Sequence, residues 1–289
     1  MTRDPFRTDG PTCISFSGGR TSAYMLWRVL QSHGGTLPDE CVVCFANTGK
    51  EEEATLRFVR ECSIRWGVQI TWVEYRDDAQ GYAVVDFETA SRGGEPFEAI
   101  VRKRNYLPNP VTRFCTVELK IRAMHKHLKS MGWAEGDGWD QFIGIRADEP
   151  SRVSKIRARP SPETVKETMC IPLADAGITV RDVGAFWAAQ PFNLELPTYN
   201  GRTLAGNCDL CFLKPAAQVA SLIAEKPVRA IWWAKIEALA LAIKPSGAVF
   251  RSDRPSYAQM LAYTQAQADA FGHAAAQIDD GIECVGCTD

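Results

Sequence analysis

Six consecutive residues, Ser17-Gly18-Gly19-Arg20-Thr21-Ser22, have the types and spacing to hold an anion. Adjacent glycines let a backbone turn tightly, adopt φ > 0 and approach a ligand closely. Ile14, Ser15 and Phe16 precede them and an amphipathic run (Tyr24, Leu26, Val29, Leu30) follows, so the turn joins a strand to a helix. The first amides of a helix lack intrahelical acceptors, and the dipole adds about half a positive charge there. The hydroxyls of Ser17, Thr21 and Ser22 add donors, and phosphate is the usual occupant of such a turn. The stretch lacks the Gly-Lys-Ser/Thr ending of a Walker A loop, and it is not Gly-x-Gly-x-x-Gly.

A second chemistry lies in the sulfur. The chain has 10 cysteines in 289 residues, and in a reducing compartment these are free, catalytic or metal-bound rather than paired. Cys208 and Cys211 form a Cys-x-x-Cys in a polar loop, a spacing at which both thiolates can ligate one zinc ion or join one iron–sulfur cluster. Cys41 and Cys44 share the spacing, but inside an apolar run that reads as a strand. There the side chains point to opposite faces, so these two, like Cys13 and Cys62, read as core. The histidines (His33, His125, His127, His273) form no metal-binding pattern. Trp232 and Trp233 read as helix packing. Basic residues cluster at Arg113 and Lys120, and again at Arg146, Arg152, Lys155, Arg157 and Arg159. Arginine offers phosphate a planar fork and lysine a point charge.

The elements that must position these groups follow from periodicity. Residues 13–16, 41–46, 68–75, 140–145 and 169–173 read as strands; 21–33, 51–66, 116–131 and 180–189 read as helices. In the helix over 116–131 the expected buried stripe is Val117, Ile121, Met124, Leu128 and Met131. The opening βαβαβ run predicts an α/β fold with a doubly wound, mostly parallel sheet flanked by helices. Residues 76–112 read as an insertion or lid, 146–165 as a polar loop that could also close as a lid, and 190–214 as a loop. Residues 215–271 read as helical, including 228–243 and 257–271. The chain is thus expected to divide into a nucleotide-binding domain over 1–190 and a cysteine-bearing, helical part with a cysteine-containing tail over 191–289.

Taken together these motifs resemble the PAPS reductase family of PP-loop enzymes, in the adenine nucleotide alpha-hydrolase superfamily, over roughly residues 11–215. Ser17–Ser22 is similar to that superfamily's SGGxxS loop, with Arg20 where many members carry lysine. Asn47-Thr48-Gly49, with Glu53 and Thr55 beyond, resembles an Asp-Thr-Gly…Glu-Thr segment, asparagine replacing aspartate. Arg113-Phe114-Cys115…Leu119-Lys120, Gly144-Ile145-Arg146…Glu149-Pro150-Ser151-Arg152, and Ile171-Pro172-Leu173…Asp182-Val183 resemble further family segments. The resemblance implies a Rossmann-like PP-loop fold and an enzyme that binds ATP or a related adenine nucleotide, with Mg²⁺. Its implied nucleotide-binding residues are Ser15, Ser17, Gly18, Gly19, Thr21, Ser22, Asn47, Thr48, Gly49, Arg113 and Arg152. Arg20, Lys120 and Arg146 would offset phosphate charge during α–β cleavage. It also implies a four-iron, four-sulfur cluster on Cys115, Cys208 and Cys211; the family's adjacent cysteine is here Phe114. The fourth ligand would be Cys287, with Cys284 and Cys170 as alternatives, and zinc remains the alternative metal.

The implied activity is ATP pyrophosphatase-type sulfur transfer (thiolation) to a nucleic acid or small-molecule acceptor, with a sulfur donor protein such as a cysteine desulfurase. An alternative is sulfonucleotide reduction with Cys284 as nucleophile, since Glu283-Cys284 resembles the start of a family Glu-Cys-Gly-Leu-His tail. A third is a non-catalytic nucleotide- or cluster-sensing module. A net charge of −2 excludes whole-surface attraction to nucleic acid. No apolar run approaches the ~20 residues of a membrane span, and the first residues lack a secretory signal's apolar core. A cytoplasmic protein without membrane partners is expected, with a homodimer among its expected assemblies.

Overall fold

Strand β1 (Thr12–Phe16) is the axis of the architecture. Cys13 and Ile14 are fully buried, as a near-continuous apolar strand requires when both its faces are covered. The computed structural model describes residues 3–133, 138–158, 167–199 and 202–267. These residues form two compact units, one of the described residues up to Lys103 and from Arg113 to Asp209, the other of Arg104–Thr112 and the described residues from Leu210 onward. The sequence reading divides the chain after residue 190; the contacts of the backbone carry the first unit on to Asp209.

In the first unit, β1 leads through the glycine turn into α1 (Arg20–Ser32), then β2 (Cys41–Asn47), α2 (Glu53–Trp66) and β3 (Ile70–Tyr75). Gly67 ends α2 in the left-handed conformation, at φ 60°. The chain then doubles back as β4 (Tyr82–Val85), antiparallel to β3, and enters α3 (Glu95–Arg104). The sequence reading has neither element and expects an insertion there. Its Gly93-Gly94 and Pro96 look like loop signals, yet proline fits a first helical turn, and Phe97, Ile100 and Val101 supply a buried face.

Next come α4 (Phe114–Thr116), a π-helical segment (Val117–Arg122) and α5 (Ala123–Ser130). A helix was expected over most of this stretch, but its buried stripe differs. Phe114, Glu118, Leu119, Ala123, Met124 and Leu128 face inward, while Val117 and Met131 are exposed. The π turn takes more residues per revolution than an α turn, so it rotates the apolar face out of 3.6 register. β5 (Trp139–Ile143) follows, then α6 (Pro150–Arg157), β6 (Glu167–Cys170), α7 (Pro172–Asp175) and α8 (Val180–Ala188). α6 replaces part of the expected arginine-rich loop. None of its residues is buried, so it has no apolar stripe by which a helix could be recognised. α8 begins with a capping box between Thr179 and Asp182. A two-residue-strand hairpin, β7 (Thr198–Tyr199) and β8 (Arg202–Thr203), lies within the expected 190–214 loop.

The main sheet has six strands in the order β4-β3-β2-β1-β5-β6, parallel except for β4. β1 pairs with β2 on one side and β5 on the other, so the strand order reverses at β1. The fold is α/β with one mostly parallel sheet, as expected. Cys13 and Cys44 join Ala46, Val73, Met124, Leu128 and Trp139 in one buried cluster, the core role their strand positions predict. Cys62 is also fully buried.

The second unit contains α9 (Ala216–Glu225), α10 (Val228–Ile243) and helical residues 257–267. Trp233 is fully buried, stacked on Tyr257 with centroids 5.2 Å apart, and Phe212 stacks on Phe250 at 5.5 Å. The Tyr257 hydroxyl donates to the Leu210 carbonyl at 2.6 Å. Trp233 thus packs within the unit, as the sequence reading assigns to it. Among the described residues, no helix is long and apolar enough to cross a membrane.

Candidate functional site

The glycine turn is built by its own side chains. The Ser17 amide donates to Ser22 Oγ at 3.1 Å, the two serine hydroxyls are 2.9 Å apart, and Ser22 Oγ donates to the Gly19 carbonyl at 3.0 Å. Gly18 has φ 73°, and a Cβ there would lie 2.6 Å from Thr55 Cγ2, so only glycine fits. Gly19 caps α1, whose first intrahelical bond runs from the Ala23 amide to Gly19. The amides before Ala23 have no carbonyl a turn behind them in α1 and are open to an anion.

A cleft of about 540 Å³ opens on this turn. Ser17, Gly18, Gly19, Arg20 and Thr21 line it, together with Gly144, Arg146, Glu149 and Arg152 from beyond β5. The two loops meet because β5 neighbours β1 and because Gly144 lacks a side chain: a Cβ there would be 3.2 Å from Ser22 Cα. The cleft therefore lies where the strand order reverses, at the carboxyl ends of parallel strands, the usual ligand position in open α/β sheets.

Arg146 is fixed by Asp148 at 2.9 Å and donates to the Thr21 hydroxyl at 3.1 Å. Glu149 lies 3.4 Å from Arg146 Nη1 and also accepts from Arg152 Nη1. Two guanidinium groups thus share one carboxylate at the cleft wall. Arg20 behaves differently. Its guanidinium donates to Asn193 Oδ1 at 2.6 Å, the Leu194 carbonyl at 2.5 Å, Thr203 Oγ1 at 3.2 Å and Thr198 Oγ1. Burial lowers its pKa, and the Trp187 indole donates to its carbonyl at 2.9 Å. Arg20 ties Asn193, Leu194, Thr198 and Thr203 to the glycine turn.

The residues after β2 form a separate, buried network. Asn47 Nδ2 donates to Glu74 Oε1 at 2.5 Å and to the Ser91 carbonyl at 2.9 Å, and its Oδ1 accepts from the Gly49 amide. Glu74 is fully buried and also accepts from the Ser91 amide and hydroxyl and from Arg76. Thr48 donates its amide and hydroxyl to Glu51, whose Oε1 lies 4.0 Å from Lys120 Nζ. Lys50 pairs with Asp209 at 3.2 Å, both side chains being 10% exposed. Asn47, Thr48, Gly49, Lys120 and the exposed Arg113 are not among the residues that line the cleft. Nor is Ser15, half-buried within β1. Ser22 supports the turn from beneath. Thr55, which the sequence places in the Asn47–Thr55 segment without a site role, also lines the cleft, as do Trp187, Asn193, Thr198, Thr203 and Asn207, which the sequence does not single out. Asn193, Thr198, Thr203 and Asn207 lie in a stretch read as loop, where hydroxyl and amide residues give no periodic signal, and Trp187 reads simply as the apolar face of its helix.

Among the described residues, no group of three or more His, Cys, Asp or Glu is set to hold a metal ion. Cys208 is buried with its Sγ 3.4 Å from Thr48 Oγ1, while Cys115 and Cys211 are half-buried. Burial beside Asp140 and Asp175 pushes the Cys170 thiol up to about 12, which disfavours the thiolate a metal needs. Cys284 and Cys287 lie outside the described residues.

The chain is 32% identical, over 214 residues, to the uncharacterized nin region protein ORF290 of Escherichia phage lambda, covering 71% of this chain and 67% of that protein. The chain belongs to the ORF290 family. No family model matches it. The U34-tRNA thiolase NcsA of Methanococcus maripaludis, solved with its [4Fe-4S] cluster, aligns over 100% of this chain and 79% of its own at a TM-score of 0.38 and 16% identity. So slight a likeness carries no argument about this member of the ORF290 family.

Proposed function

We propose that the protein is a cytoplasmic PP-loop enzyme that binds ATP, or a related adenine nucleotide, on the Ser17–Ser22 turn and cleaves it between the α and β phosphates to serve sulfur transfer. The observation that carries this reading is the convergence of the glycine turn with Arg146 and Arg152 in one cleft at the reversal of strand order. The reading takes the sheet as doubly wound, with the nucleotide in the crevice at its switch point.

In the proposed step an acceptor oxygen attacks the α-phosphorus, the α–β bridge bond breaks, and pyrophosphate leaves with the bridging oxygen. A sulfur nucleophile then displaces AMP from the adenylated acceptor. Donors already oriented toward developing charge lower the barrier without reorganising during reaction. The open amides of α1, the Thr21 hydroxyl, Arg146 and Arg152 are suited to that task for the departing pyrophosphate. Asp148 and Glu149 are engaged by these arginines, so Mg²⁺ would arrive with the polyphosphate rather than at a ready carboxylate cage. The acceptor in this reading is a nucleic acid or a small molecule.

The proposal assigns no step to a [4Fe-4S] cluster or zinc. Cys115, Cys208, Cys211 and Cys287 stay its candidate ligands, and iron, sulfide and zinc assays on anaerobically purified protein decide whether they hold one. The function itself is tested by pyrophosphate release from ATP with candidate acceptors. Release that depends on acceptor and is lost in Arg146→Ala supports it; absence of ATP binding by the wild-type protein overturns it.

A further inference from the structure

We infer that Thr55 is a binding residue of this cleft and donates its hydroxyl to the phosphate chain of the ligand. The inference rests on the nucleotide reading above and adds a contact from a second helix.

Thr55 stands in the first turn of α2 and lines the same cleft as the glycine turn, Arg146 and Arg152. Its side chain is held in place: the residue is 2% exposed, and its methyl packs where a Cβ on Gly18 would be 2.6 Å away. Yet among the described residues Oγ1 is buried without a hydrogen-bond partner. Threonine within a helix ordinarily bonds a carbonyl three or four residues back. Here the Glu52 carbonyl already accepts the amides of Thr55, at 2.8 Å, and Leu56, at 3.3 Å. A buried hydroxyl without an acceptor costs about 1–3 kcal/mol. Valine would fill the same volume without that cost.

The surroundings specify the missing acceptor. The cleft receives the N-terminal end of α1, whose dipole is positive there, and Thr55 from the first turn of α2. Its one lining carboxylate, Glu149, is shared by Arg146 and Arg152. A donor in such a wall matches a phosphoryl oxygen, which has lone pairs and negative charge. A nucleobase edge would bring donors as well as acceptors and gain less from the dipole of α1.

The test is calorimetric titration of the full-length protein with inorganic pyrophosphate, ATP and adenosine, using wild type, Thr55→Val, Thr55→Ala and Thr55→Ser, beside thermal unfolding without ligand. Thr55→Val should unfold at or above the wild-type temperature and bind pyrophosphate and ATP about 10-fold more weakly, as loss of one charge-assisted bond requires. Thr55→Ala should show the same weakening, Thr55→Ser should restore affinity, and adenosine should be unaffected. Equal pyrophosphate affinity in wild type, Thr55→Val and Thr55→Ala overturns the inference while leaving the nucleotide site standing. So does a loss confined to adenosine. A wild-type protein that binds neither pyrophosphate nor ATP overturns both the inference and the reading beneath it.

Discussion

Two arginines near the glycine turn have the same chemistry and different work. Arg146 keeps a path to the cleft through Thr21, whereas the Arg20 guanidinium donates to Asn193, Leu194, Thr198 and Thr203. Arg146→Ala should therefore weaken ATP binding about 10-fold or more in titration, with little change in unfolding temperature. Arg20→Lys should do the reverse. A lysine cannot reproduce a fork that serves four acceptors, so stability should fall by about 1–3 kcal/mol in urea unfolding. Asn47 gives a third contrast. Its amide donates to the buried Glu74 carboxylate, so Asn47→Asp would set two carboxylates against each other and cost about 3 kcal/mol in the same measurement. The residue types were legible in the sequence. The partners of Arg20 were not, because they lie more than 170 positions away in a stretch with no periodic pattern.

Elements were legible where one face is buried at a regular period. β1, β2, α1, α2 and α8 are of this kind. They failed to show where the period breaks or no face is buried. The π segment displaces the stripe so that Glu118 and Leu119 turn inward in place of Val117. α6 buries nothing, and α3 starts amid glycines and a proline. The turn between β1 and α1 admits a sharp test. Gly18→Ala would force a Cβ into Thr55 at a positive φ, so nucleotide affinity should be lost and stability reduced by about 1–3 kcal/mol, read by titration and urea unfolding. In the second unit, α10 carries Glu237, buried and accepting the Tyr257 amide at 2.8 Å. Burial raises its pKa above the ordinary carboxyl value. A folded-state pKa raised in this way favours folding below the unfolded pKa, and that contribution is lost as pH rises through the folded value. Glu237→Gln should thus gain stability relative to wild type between acidic and neutral pH, as parallel urea titrations would show.

On the scale of the whole molecule, the strand order decides where a ligand sits. Any ligand that binds only the folded state stabilises it, by about 2.7 kcal/mol at 100 times Kd. ATP at 100 times Kd should accordingly raise the unfolding temperature by about 4–5 °C, and adding the same ATP to Arg146→Ala should raise it less. The parallel α/β core and the glycine turn between β1 and α1 can be read directly from the amino-acid sequence. Both follow from local rules, apolar period and glycine geometry, that act within a dozen residues. The three-dimensional fold alone settled that β5 lies beside β1, bringing Arg146 and Arg152 to the turn, and that Arg20 is bonded to Asn193, Leu194, Thr198 and Thr203. It also decided that Asn47 lies in a buried network while Thr55 joins the cleft. These depend on which strands pair and which side chains bury each other across long sequence separations, and no local pattern encodes them.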